Sequence, residues 1–253
     1  MLISTINVLK SHGSQYIKHL DKAVLAETFR GYPIISKDVD PVTASAMASM
    51  CPTGAITTSP LALDMGKCLF CGECARKFPS ALKFSNNPHT ASNKRENLII
   101  TADSSPKELF DPESYKDEVV RIFRRSLKLR SVSAGGDGSA EMEANATMNV
   151  NFDFGRYGID FVASPRHADG LVITGPITAN MSRSLEICYN ALSTPKVLIL
   201  AGTDAISGGL FADSPAIDRS FLDFRGVDLY IPGNPPHPLT FIDGILTMLK
   251  DKY

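Results

Sequence analysis

Apolar positions over residues 1 to about 30 fall at helical intervals (Ile6, Leu9, Tyr16, Leu20, Val24, Leu25), with Gly13 as an interruption. This spacing predicts a helical arm that packs on a neighbour. From about 31 to 86 the pattern shortens to strand-length runs, YPII, CPTGAITT, LALDMGKC and ALKF, punctuated by Gly and Pro. Two of these pieces form a weak internal repeat. CPTGAI at 51–56 and FPSALKF at 78–84 each follow a segment able to form a helical turn. The polar run SNNPHTASNKREN at 85–97 reads as an exit linker. After one more strand, LIIT, the second half of the next stretch suits a helix bearing Arg121, Arg124, Arg125 and Lys128. Its basic run is either a solvated helix face or a docking surface for a partner subunit or anionic headgroups.

From about 129 onward strand-like runs (LRSVS, GIDFVAS, GLVITG, KVLILAG, VDLYIPG) alternate with helical stretches such as NMSRSLEICYNALS and HPLTFIDGILTMLKDKY. Apolar runs this short and continuous suit strands covered on both faces. They predict a small, doubly wound, largely parallel α/β sheet of the flavodoxin-like type, with functional groups gathered where strands end in loops. The organisation expected is a helical arm (1–30), an α+β unit of short strands and turns (31–95), a linker with a basic helix (96–128) and an α/β domain (129–253).

Composition narrows the classes. With 43% apolar residues the chain can bury a real core, and 26 Lys plus Arg against 27 Asp plus Glu offer no global charge for nucleic acid. The first residues lack the apolar core of a secretory signal, and no segment approaches the roughly 18 apolar residues needed to span a bilayer. The expectation is an intracellular, soluble chain. Four of its five cysteines lie between 51 and 74. In a reducing compartment that favours metal ligation over disulfides.

The spacing of those four is informative. CLFCGECARKFPS supplies Cys68, Cys71 and Cys74 at Cys-x2-Cys-x2-Cys spacing, but Phe78 stands where a fourth cysteine would precede Pro79. In two-cluster bacterial ferredoxins the cysteine before proline ligates the cluster of the other run. Applied here, Cys51-Pro52 completes one [4Fe-4S] site with Cys68, Cys71 and Cys74. The second cluster would need Pro41, Ala44, Met47 and Phe78, none of them a ligand; Met47 and Phe78 are expected to fill that volume as core. A zinc site on the same four thiolates is the alternative. Cys188, beside apolar residues in SLEICYNAL, reads as a buried core thiol. The glycine-rich SAGGDGSAE fails the dinucleotide pattern, because the third glycine position falls on Glu141.

FRGYPII, CPTGAI and the Cys68 run resemble the ferredoxin-type subunits of complex I and of membrane-bound group 4 [NiFe] hydrogenases of the formate hydrogenlyase type. GIDFVASPRHADGLVITGPIT, AISGGLF and VDLYIPGNPPHP resemble the small subunit of those hydrogenases and the 20 kDa (B-type) subunit of complex I. The resemblance implies a bacterial-ferredoxin-like domain followed by a small-subunit domain. In the latter, the family's terminal cluster ligands correspond to Asp137, Ala140, Asp204 and Asn234, so the cluster site there is degenerate. Oxygen and amide groups replace thiolates poorly on an iron-sulfur cube. The family's arginine beside that cluster corresponds to Arg166; His167 and His237 flank the same loops. The emptied pocket either fills with its own side chains or holds a hard cation or small ligand.

The function this implies is that of a non-catalytic electron-transfer subunit with one [4Fe-4S] cluster. Its partners would be a large subunit of hydrogenase or complex I type and membrane subunits of the same complex, with the chain cytoplasmic and peripheral to the inner face of the membrane. The alternatives are a structural or redox-sensing scaffold, or a repurposed pocket binding a cation or small ligand.

Overall fold

The computed structural model describes residues 2–13, 15–114 and 116–250. Helix α1 (Leu2–His12) stops at Gly13, where φ is +61°, and exposes Ile3, Ile6 and Leu9. The helical spacing does not continue as one arm. Beyond Gly13 the backbone takes tertiary partners instead: the Ile17 amide donates to Asn151 O (2.8 Å) and the Arg156 guanidinium to Ile17 O (3.0 Å). Leu20 is buried, whereas Val24 is exposed.

The next unit runs β1 (Pro33–Ile35), α2 (Pro41–Met50), β2 (Ile56–Thr58), β3 (Leu61–Asp64), α3 (Glu73–Lys77), β4 (Leu82–Phe84) and β5 (Ile99–Ile100). Strand β1 pairs antiparallel with β4, and β3 lies between β2 and β5 in an antiparallel triplet. Asp40 starts α2 by accepting from the Thr43 amide, with Pro41 preset at the first helical position. The internal repeat has a local counterpart. Cys51 is the C-cap of α2 and Phe78 the C-cap of α3, and each leads through a turn into a strand. Met47 is fully buried and Phe78 packs against the same core.

Residues 85–97 are not a solvated linker. Thr90, Ala91, Ser92 and Asn93 are buried, and Ser92 bridges antiparallel to Tyr230. The polar side chains that suggested solvent are consumed internally. Asn93 exchanges hydrogen bonds with the backbone of Asp111 (both 2.8 Å), Thr240 Oγ1 donates to Pro88 O (2.9 Å), and His89 Nδ1 lies 2.7 Å from Asp243. The basic helix α4 (Asp117–Phe123) is also shorter than expected. Lys128 belongs to the next strand, because the alternation that buries Leu127 and Leu129 prevails over helix propensity.

The second half is a five-stranded sheet, with all pairings parallel, in the order β10-β9-β8-β6-β7. Its strands are β6 (Leu127–Ser133), β7 (Ile159–Phe161), β8 (Gly170–Thr174), β9 (Val197–Ala201) and β10 (Leu229–Ile231). Helices α5 (Ser139–Ala146), α6 (Ala179–Asn190), α7 (Thr203–Ser207) and α8 (Pro238–Met248) connect or follow them. The final residues of the predicted C-terminal helix, 251–253, lie outside the described residues. The order is flavodoxin-like, with the switch point between β6 and β8. Every residue of β8 and β9 is buried, and the two faces divide by period two. Leu171, Ile173, Leu198 and Leu200 join a core shared with the cysteine-bearing half; Val172, Val197, Ile199 and Ala201 join another with α8 and Leu20. Among the described residues no helix is long and apolar enough to cross a membrane.

Candidate metal centre and the loop-end pocket

The chain brings Cys51, Cys68, Cys71 and Cys74 to the wall of one cavity, whose lining includes Ala55, Ile56, Leu63 and Phe84. Each arrives by a different device. Cys51 ends α2, Cys74 lies in α3, and the turn after β3 carries Cys68, whose amide donates to Asp64 O (2.9 Å). Asp64 is itself clamped by Arg95 through two bonds of 2.8 and 2.6 Å. The Arg30 guanidinium donates to Phe70 O and so braces the loop between Cys68 and Cys71.

Two sulfurs already accept backbone amides, Cys51 Sγ from Ala55 (3.3 Å) and Cys68 Sγ from Phe70 (3.2 Å). Cys68 and Cys74 are buried, Cys51 is half-buried and Cys71 is exposed. Burial pushes the Cys68 thiol up to about 12, with the charges of the other three cysteines adding to the effect, and it raises Cys74 as well. Without a cation these thiols hold their protons; a bound metal must displace them. Among the described residues no three or more His, Cys, Asp or Glu side chains form a group able to hold a metal ion. Cys188 packs against the core from α6, where burial raises its pKa and Arg130 acts against that.

Asp137, Ala140, Asp204 and Asn234 also meet, in a second, small pocket. It sits at the carboxyl ends of β6, β8, β9 and β10, beside the switch point. Gly175 permits this, since at φ +77° an added Cβ would lie 2.5 Å from the Gly136 amide nitrogen. The Asp137 carboxylate accepts from the Ser139 amide (2.9 Å) and hydroxyl (2.6 Å), which holds its pKa down. Burial, and then the charge of Asp137, push Asp204 up. Glu141 accepts from Thr174 Oγ1 (2.7 Å) at the same wall.

Arg166 and His167 do not line this pocket. Both are exposed on a short turn, Pro165–His167, that follows β7, the outermost strand on its side of the sheet. His237 instead caps α8, its Nδ1 accepting from the Leu239 amide (3.1 Å), with Phe29 and Phe152 edge-on at 5.2 and 6.0 Å. Burial lowers its pKa. It borders a wider cleft of about 260 Å³ together with Arg30, Phe70, Glu143 and Asn234, so the loop 233–235 is a wall common to cleft and pocket. Neither this cleft nor Thr203, which reaches the cysteine loop, has a signature in spacing; both arise from segments far apart in the chain.

Comparison with known proteins locates a family likeness in the same half. Residues 138–248 match the family described as NADH ubiquinone oxidoreductase, 20 Kd subunit. The probable membrane-bound hydrogenase subunit mbhJ of Pyrococcus furiosus is 29% identical over 133 residues, 53% of this chain and 80% of that protein. Formate hydrogenlyase subunit 7 of Escherichia coli is 35% identical over 136 residues, 54% of this chain and 53% of that protein. An NADH-quinone oxidoreductase subunit of Clostridium beijerinckii is 40% identical over 112 residues, 44% of this chain and 66% of that protein. The matched segment thus spans only about half to two thirds of the latter two relatives. A solved structure of the membrane-bound sulfane sulfur reductase, an archaeal respiratory membrane complex, aligns with 54% of this chain and 75% of its own at 27% identity and a TM-score of 0.46. The likeness to the 20 kDa subunit family therefore lies in residues 138–248, which carry the lining of the loop-end pocket except Gly136 and Asp137, while the four clustered cysteines lie in the half before it.

Proposed function

We propose that this chain is an iron-sulfur electron-transfer subunit of a hydrogenase-related or complex I-like, membrane-associated oxidoreductase. Cys51, Cys68, Cys71 and Cys74 would hold one [4Fe-4S] cluster in a bacterial-ferredoxin-like domain over 31–95. The small-subunit-type domain over 129–253 would seat a large subunit of hydrogenase or complex I type. The observation that carries this reading is the convergence of four thiols, from two separate stretches, on one cavity. The Cys-x2-Cys-x2-Cys run with a distant Cys-Pro suits a cube of iron and sulfide better than a single zinc ion, which more often takes two separated Cys-x2-Cys pairs. When bound, such a cluster supplies one-electron transfer. The chain's own groups prepare for it: the Ala55 and Phe70 amides point at sulfurs and favour the thiolate form, and apolar neighbours limit water. The names of the relatives support the partner class, and that of the membrane-bound hydrogenase subunit supports a position at the membrane through those partners, on its cytoplasmic face by this reading.

A second reading has its own observation. The loop-end pocket offers Asp137, Ala140, Asp204 and Asn234 but no thiolate, so electrons reaching it meet no further cluster. The chain then serves as a structural or redox-sensing scaffold.

Anaerobic purification is expected to give about four irons per chain, the content of one [4Fe-4S] cluster; a content near eight, or iron bound equally well without Cys51, overturns the assignment. Cys51→Ala should lose the visible absorbance. Conduction and scaffolding separate when the reduced chain is mixed with its large subunit and an acceptor: turnover supports transfer, and inert reduced protein supports the scaffold.

A further inference from the structure

Cys68 is held at all three of its polar groups. Its amide donates to Asp64 O (2.9 Å), its sulfur accepts from the Phe70 amide (3.2 Å), and its carbonyl accepts from Thr203 Oγ1 (2.7 Å). The first two partners belong to the cysteine loop. The third comes from the other half of the chain, from the first residue of α7, beside Asp204 of the loop-end pocket.

Thr203 is fully buried, and its hydroxyl has one proton to give. Two carbonyls are within reach, Cys68 O at 2.7 Å and Gly233 O at 3.2 Å, but Gly233 O already accepts the Thr203 amide at 2.9 Å. The shorter contact, to Cys68, is the stronger claim on the hydroxyl proton. The two elements are pressed together around this bond, since a Cβ on Gly66 would lie 2.8 Å from Ile206 Cγ2. Helix α7 is fixed in turn from its far side, where the Arg219 guanidinium donates to the carbonyls of Asp204 (3.2 Å), Ala205 (2.7 Å) and Ile206 (3.0 Å).

We propose that Thr203 is a positioning residue for the cysteine site: its hydroxyl on the Cys68 carbonyl fixes the most buried ligand, tunes the cluster's potential and ties that potential to the loop-end pocket. This rests on the cluster assignment above. Reduction adds negative charge at the cysteines, and a donor aimed at the carbonyl of a ligand residue opposes that charge, as hydrogen bonds around a metal site do. Removing the donor makes the reduced state less favourable.

The test is a redox titration, followed by electron paramagnetic resonance, of the iron-loaded full chain carrying Thr203→Val or Thr203→Ser. Val keeps the branched shape and loses the donor; Ser keeps the donor. Thr203→Val is expected to lower the reduced-to-oxidised ratio at fixed ambient potential about tenfold, a shift of about 59 mV for a one-electron couple. Thr203→Ser should restore the wild-type value. Equal potentials in all three, or a Ser variant displaced as far as Val, overturn the proposal. Where Val does not fold, hydrogen exchange of the wild-type chain decides. Amides of Thr203–Ser207 should exchange more slowly with iron bound than after its removal, and identical protection overturns the coupling. Failure to bind iron at all counts against the cluster assignment, whereas four irons with an unmoved potential counts against Thr203 alone.

Discussion

Asp204 and Asp137 show how much one residue type depends on its surroundings. Both line the same pocket, yet Asp137 is stabilised as an anion by Ser139, while Asp204 is disfavoured as an anion by burial and by Asp137 itself. A carboxyl raised in the folded state binds its proton more tightly there than in the unfolded chain. Its contribution to stability is therefore whole below the unfolded value near 3.9 and is lost as pH rises through the folded value. Asp204→Asn removes that loss. The variant should melt above the wild type at pH 7, with the difference closing as pH falls toward about 4. Thermal unfolding followed by circular dichroism across this range checks it, and a gain independent of pH would show that titration is not the cause. At this scale the sequence was legible where chemistry is carried by spacing, as in Cys51, Cys68, Cys71 and Cys74 reaching one cavity. It was not legible for Thr203, an ordinary residue whose partner is set by how two distant segments pack.

Elements were readable in proportion to how local their causes are. Continuous apolar runs marked β8 and β9, and Asp40-Pro41 marked the start of α2. The repeat between Cys51 and Phe78 appears as two helix C-caps, each followed by a turn closed onto the cap carbonyl, by the Gly54 amide in one and the Ala81 amide in the other. Two expectations failed where tertiary partners overrode a local signal. The polar run 85–97 is drawn inside by hydrogen bonds to Tyr230, Asp111 and Asp243, and Lys128 leaves the basic helix because Leu127 and Leu129 are needed in the sheet. The close approach of the loops after β6 and β8 belongs to this level too. Gly175→Ala must meet the Gly136 backbone as well as adopt a positive φ, and should cost roughly 2–4 kcal/mol. Gly138→Ala, at φ +84° with open space, should cost only about 1–2 kcal/mol. Urea unfolding of both variants compares steric and conformational cost in one fold, and equal losses would show that the approach is not tight.

For the whole molecule, the two halves share a core, and residues 88–93 form the polar seam beside it. Asp243 stands beside it, 6% exposed, the one charged residue of α8 and 2.7 Å from His89. Asp243→Ala leaves the imidazole short of its partner in a half-buried place and should cost about 1–3 kcal/mol, measured by the same urea titration. A change within 0.5 kcal/mol would mark the pair as incidental, as surface substitutions are. The bridge between Ser92 and Tyr230 has a practical consequence for dissecting this protein. The matched region, 138–248, lacks β6, so a separate piece that keeps the sheet must begin near residue 127; even in that piece the open side of β10 loses the backbone that covers it. An uncovered strand edge pairs with other copies. Such a fragment should self-associate more readily than the intact chain, so activity or binding lost on truncation would report a bared edge before it reported a missing cluster.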